Sequence, residues 1–125
     1  MGLRFLKIAV VYLFVGASLG LYMGMVETFT LAPVHAHLVL LGWATLALAG
    51  VVYHFYPAAA ETKLARIHFW AHNLLLPPLM IALAVFLEGR QDAGPVVGII
   101  SIGMLAALGC FAINVLMHAA PSRTA

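Results

Sequence analysis

Charged side chains are scarce in this sequence of 125 residues, which has six Lys and Arg, four Asp and Glu, and a charged fraction of 8%. Soluble domains carry about 25% charged residues. The hydrophobic fraction is 65%, so the composition excludes a water-soluble domain. A net charge of +2 gives no indication of a nucleic-acid partner. We therefore predict an integral membrane protein whose partner is the lipid bilayer, with no nucleic-acid partner.

Cysteine is nearly absent, because Cys110 is the only one in the chain. A single cysteine excludes a disulfide within the chain, and the sequence has no attachment motif for a c-type heme. A covalently attached c-type heme is therefore not expected.

Long apolar runs, by contrast, fill most of the chain. Four of them lie at about 5–26, 34–56, 66–88 and 94–118, and each is near the ~20 residues that a membrane-spanning helix needs. These runs are too long for the strands of a membrane barrel and lack their alternation. We predict an all-α fold, a single four-span transmembrane domain over residues 1–125.

Positive charges are distributed unevenly between the two sides of these spans. One side carries five of them and the other carries only Arg90. The five are Arg4, Lys7, Lys63, Arg66 and Arg123. Because basic residues accumulate on the cytoplasmic side, we expect both termini in the cytoplasm, with a bacterial inner membrane as the location.

Two histidines, His35 and His37, stand at the start of the second span. An imidazole inside hydrocarbon is costly and marks a candidate functional site. Two residues on a helix differ by about 200° of rotation, so both rings cannot easily ligate one metal. Gly42, seven residues after His35, is expected to leave room for a flat macrocycle on nearly the same face. The alternative is that both rings only bind water or lipid phosphate.

A b-type heme needs two axial ligands at the same depth on facing helices. The first, third and fourth spans have no histidine at the depth of His35 and His37. The second ligand is therefore expected from another chain. In a ring of identical subunits, His35 of one copy would face His37 of the next.

Four further histidines are predicted near the cytoplasmic side. His68 and His72 are four residues apart and share a helix face, which is a usable spacing for metal ligands. His54 and His118 are expected at a similar depth. This group predicts a copper or zinc site, or a second heme, and the alternative is a set of solvated side chains.

Two segments resemble the catalytic subunit I of the heme–copper oxidase and nitric-oxide reductase superfamily. They are HAHLVLLGWATLALAGVVYHFYP, residues 35–57, and LARIHFWAHN, residues 64–73. In that family a span begins with a ligand histidine and ends in a Tyr-x-x-Pro-like turn, and the next helix begins with Arg and Phe-Trp. The matching residues here are His35 and His37, Tyr53–Pro57, Arg66 and Phe69-Trp70.

The resemblance implies a fold and an assembly. Subunit I has twelve helices in three arcs of four, so a four-span chain resembles one arc and three copies would rebuild the ring. It implies a homotrimer with b hemes between second spans, held by His35 and His37 of different subunits, and an oxidoreductase that exchanges electrons with a quinone or a cytochrome. The family's adjacent histidine pair for copper has no match here, so reduction of oxygen or nitric oxide is not predicted for this chain alone.

We therefore predict a small b-heme membrane protein for electron transfer or gas-ligand binding. One alternative is a copper or zinc binding or assembly protein that uses the inner histidines. Another is a structural subunit of a respiratory complex, docked through the small-residue ridge of Gly16, Gly20 and Gly24.

Overall fold

The computed structural model of the protein describes residues 1–121, and Arg123, which contributed to the predicted orientation, lies outside that range. Four long helices form the fold and are called the first to fourth spans. They are Gly2–Val26, Ala32–Phe55, Lys63–Leu87 and Gly94–His118. Each is long and apolar enough to cross a membrane, and residues 1–121 contain no strand. The predictions of an all-helical fold and of lipid contact are confirmed at this level.

Short turns join the spans into an antiparallel bundle. The first span ends at Val26; the next residue, Glu27, has a left-handed backbone (φ 53°), and its N–H still donates to the carbonyl of Met23. A one-turn helix, Pro57–Ala60, follows the second span. The third span begins where the Thr62 hydroxyl accepts a hydrogen bond from the N–H of Ala65 at 3.0 Å, which caps the helix.

Glycines allow the first and second spans to pack closely. A Cβ on Gly50 would lie 2.8 Å from the carbonyl oxygen of Gly2, a backbone atom of the first span. A Cβ on Gly16 would lie 3.0 Å from Val39, while nothing lies within 4 Å of the corresponding position on Gly24. Gly16, in the predicted ridge, therefore packs against the second span of the same chain, whereas Gly24 does not.

Two apolar cores hold the spans together, one near each end of the bundle. The core at the end that carries Lys63 has Phe5, Leu46, Tyr53 and Phe69 among its buried members. The core at the other end, where the second span begins, joins the second, third and fourth spans. Its buried residues are Val34, Leu38, Leu76, Leu79, Met80 and Met104.

The second span is not a uniform α-helix, because Leu38–Thr45 forms a π-helix between two α-helical segments. The hydroxyl of Thr45 donates to the carbonyl of Leu40 at 2.7 Å within it. π-helical segments are rare and often stand at functional sites. This segment begins immediately after His37, so it lies between the two candidate histidines and the rest of the span.

Candidate functional site

His35 points toward the first span and is half-buried there. Its Nδ1 lies 2.8 Å from the carbonyl oxygen of Gly16. Because a carbonyl only accepts, Nδ1 carries the hydrogen and the neutral ring keeps its lone pair on Nε2. A Cβ on Gly20 would lie 2.8 Å from the His35 ring, so the glycine makes the space that the imidazole occupies.

His37 is exposed and lies on another face of the second span. Its Nδ1 donates to the carbonyl of Pro33, one turn earlier in the same helix, at 2.6 Å. As in His35, Nδ1 therefore carries a hydrogen, and the neutral form of the ring has its lone pair on Nε2. It borders an open groove of about 190 Å³ to which the third and fourth spans contribute. The other lining residues are Leu41, Leu79, Ser101, Met104, Leu105 and Leu108.

The two imidazoles thus have equivalent chemistry and separate surroundings. His35 contacts the first span, whereas His37 borders residues of the third and fourth spans. Two residues along a helix place their side chains on nearly opposite faces. One chain therefore does not present both Nε2 atoms to a single metal ion.

Gly42 does not open space for a macrocycle within the chain. A Cβ on Gly42 would lie 2.6 Å from Cγ of Tyr12, so the aromatic ring of the first span fills the position that we had expected to be free. The sequence could not indicate this, because a small residue leaves room for any partner and does not specify which one enters.

His68 occupies the centre of the bundle and contacts residues of the other three spans. Its ring is stacked between Phe5, at 5.1 Å between ring centres, and Phe111, at 4.9 Å. The hydroxyl of Tyr53 lies 3.5 Å from its Nδ1. Its side chain is fully buried, and Nε2 has no hydrogen-bond partner.

His72, one turn further along, is also fully buried. Its Nε2–H donates to the carbonyl of Leu41 at 3.0 Å, and its Nδ1 has no partner. Its ring centre lies 5.4 Å from that of His68. The expectation that His72 lies at the same depth as His54 is wrong, because its partner Leu41 is four residues after His37 and far from His54 along the second span.

The four histidines His54, His68, His72 and His118 do not come together at one site. His54 borders an apolar groove with Gly2, Leu6 and Phe55, and His118 donates to the carbonyl of Asn114 in its own helix at 3.2 Å. Within residues 1–121 no three His, Cys, Asp or Glu side chains are close enough to hold one metal ion. Of the predicted group, only His68 and His72 lie side by side.

A buried polar network around Asn114 was not predicted as a unit. The Asn114 amide nitrogen donates to the carbonyl of Ala59 at 2.8 Å and to the hydroxyl of Tyr53 at 3.3 Å, and its oxygen accepts from Thr62 at 2.8 Å. An asparagine in a long apolar span is the sequence signal for such a network. It joins the fourth span to the connection between the second and third.

Comparisons with known proteins give no relative from which to transfer a role. No protein-family model matches the chain, and no curated protein or solved structure gives a match.

Proposed function

We propose that this membrane protein binds heme b through His35 and His37 and serves in electron transfer, or in gas-ligand binding where one axial position is open. The observation that supports the proposal is that both imidazole rings make the same kind of hydrogen bond. Each donates its Nδ1–H to a backbone carbonyl, Gly16 for His35 and Pro33 for His37. Histidines that ligate metals characteristically donate their other ring N–H in this way, which orients the ring and raises the basicity of Nε2.

The residues fit an axial-ligand role in accessibility as well as in protonation. His37 is exposed, and His35 is only partly buried. When bound, heme supplies a one-electron redox centre whose properties depend on its axial ligands. The task of the chain is to hold Nε2 of each imidazole in a fixed direction inside a membrane-spanning segment.

Self-association follows from the separation of the two rings. Because one chain does not present both Nε2 atoms to one iron, the second ligand comes from another copy, with His37 of one facing His35 of the next. Three copies would correspond to the three arcs of the superfamily that the sequence resembles, so we propose a homotrimer. A membrane quinone or a cytochrome is the proposed redox partner.

The cheapest test is the optical spectrum of the purified protein. Cells supplied with heme are expected to yield a coloured protein in detergent, with a Soret band and the split visible bands of reduced low-spin heme b. Measurement of the iron content should give a constant ratio of iron to protein. Colourless protein from such cells, with no band after addition of hemin, would refute the proposal.

We also propose that both termini face the cytoplasm. Arg4, Lys7, Lys63 and Arg66 lie toward one end of the bundle, and Arg90 at the other end forms an exposed ion pair with Asp92, with 2.9 Å between Nη2 and Oδ2. Positive charge in short loops sets the orientation of a membrane protein.

Reporter fusions measure this orientation. Green fluorescent protein at the C-terminus of the full chain is expected to fluoresce, because it folds in the cytoplasm. Alkaline phosphatase fused after Asp92 is expected to be active, because that turn would lie outside. Exchange of the two reporters is the control and should silence both, and the reverse pattern would contradict the proposed orientation.

A second candidate function is copper binding by His68 and His72. Their unpartnered nitrogens, Nε2 and Nδ1, are the observation in its favour, since buried polar atoms normally have a partner and imidazole is a ligand for copper. Metal analysis separates the candidates. Copper near one per chain, lost in His72→Leu but retained in His37→Ala, would favour this function, and iron with the opposite response favours heme.

A further inference from the structure

His72 is a buried side chain that the proposed heme ligation leaves unexplained, and it contacts the second span where that helix is irregular. Its Nε2–H donates to the carbonyl of Leu41 at 3.0 Å. Leu41 lies inside the π-helix Leu38–Thr45, four residues after His37. The third span therefore binds the backbone of the second span about one turn from the exposed imidazole.

The π-helix determines how the two ends of the second span are turned relative to each other. It holds about one residue more per turn than an α-helix, and one residue of an α-helix corresponds to about 100° of rotation. If the segment relaxed to α-helical geometry, its eight residues would make about 2.2 turns instead of about 1.7, so His37 would turn by more than about 100° relative to Gly50. The direction of His37 thus depends on the π-helix.

Both flanks of the π-helix are fixed by the first span. His35 donates to Gly16 before it, and Gly50 packs on the backbone of Gly2 after it. Within residues 1–121, the side chains that bond the backbone of the π-helix itself are Thr45, from inside the segment, and His72, from outside it. Beside the packing of the first span on Val39 and Gly42, His72 therefore supplies the directional tertiary contact, a hydrogen bond to the π-helix backbone.

We propose that His72 is a positioning residue for His37: by donating to Leu41, it keeps the π-helix in place and so fixes the direction of the His37 ring. The consequence for heme rests on the proposed function, whereas the consequence for the His37 ring does not. The bond also gives the Leu41 carbonyl a donor from a neighbouring span, in a membrane interior where polar backbone groups must be satisfied by the protein itself.

The matched control is His68, which stands one turn away on the same helix and is equally buried. His68→Leu removes a buried imidazole that makes no bond to the backbone of the second span. His72→Leu removes a buried imidazole together with such a bond. His72→Gln keeps a long side chain with an amide N–H, whereas the side chain of His72→Asn is one carbon shorter. If His72→Leu does not fold, the comparison of His72→Gln with His72→Asn still tests the proposal.

Two measurements are made on each purified variant. The first is the imidazole NMR spectrum of His37 in heme-free protein, whose chemical shifts report the surroundings of the ring in the groove that it borders. The second is the affinity for hemin, followed at the Soret band.

We expect His72→Leu and His72→Asn to change the His37 chemical shifts, because the ring leaves that groove, and to weaken heme binding by about 10-fold, as loss of a supporting contact around a metal ligand does. His72→Gln should resemble the wild type, and His68→Leu should leave both measurements unchanged.

Unchanged His37 signals in His72→Leu would overturn the inference, and so would an equal change in His68→Leu, because the effect would then be one of packing alone. If the wild-type protein binds no heme while the His37 signals still depend on His72, the proposed function fails and the positioning role stands. The two failures are therefore distinguishable.

Discussion

The His37→Ala variant is expected to purify as a folded protein that has lost its heme. An exposed imidazole contributes little to the packing of the bundle, so its removal should leave the melting temperature in detergent within a few degrees of the wild-type value. Loss of one of two axial ligands, by contrast, should abolish the low-spin Soret and visible bands. Absorbance per mole of protein and the melting temperature are measured together.

The control for His37→Ala is His54→Ala. His54 is also an exposed histidine of the second span and borders only an apolar groove, so the variant should keep its full absorbance. His35→Ala is less informative, because it also leaves the carbonyl of Gly16 without its donor. Wild-type absorbance in His37→Ala, or an equal loss in His54→Ala, would remove His37 from the proposed ligand set.

The second large effect is expected from Gly50→Val, which should destabilise the bundle severely. A Cβ at this position would lie 2.8 Å from the carbonyl oxygen of Gly2 and 3.2 Å from the amide nitrogen of Leu6. Both are backbone atoms, so no side-chain rotation relieves the overlap and the first two spans must separate. Overpacking of this kind costs about 1–3 kcal/mol or more, and thermal unfolding in detergent should show the loss.

Gly98→Val provides the comparison for the same change of side chain. Gly98 is also inside a span, but nothing lies within 4 Å of the position that its Cβ would take. This variant should unfold within a few degrees of the wild type. Equal melting temperatures for the two variants would contradict the close approach of the first and second spans.

The number and extent of the spans could be predicted because the signal is local. A run of about twenty apolar residues must bond its own backbone groups in lipid, and a helix does this without help from other segments. The observed bounds of the second span, Ala32–Phe55, differ by only one or two residues from the predicted 34–56. The bulk of the fold therefore needed no tertiary information.

Tertiary contacts account for what the sequence did not reveal. The amino-acid composition of the π-helix at Leu38–Thr45 does not distinguish it from an α-helix, because Leu, Val and Ala are also common in α-helices. The bond from His72 to Leu41 joins residues 31 positions apart, and the ring of Tyr12 beside Gly42 depends on how two helices face each other. Histidine spacing in the sequence therefore identified candidates but did not determine which of them meet.

The bonds of Asn114 have a consequence for how the chain matures in the membrane. Tyr53, Ala59 and Thr62 are synthesised before the fourth span, yet the amide that binds all three belongs to that span. Until then their polar groups lack this partner in an environment where unmet hydrogen bonds are costly. The network is therefore complete only after the fourth span has packed against the connection between the second and third spans.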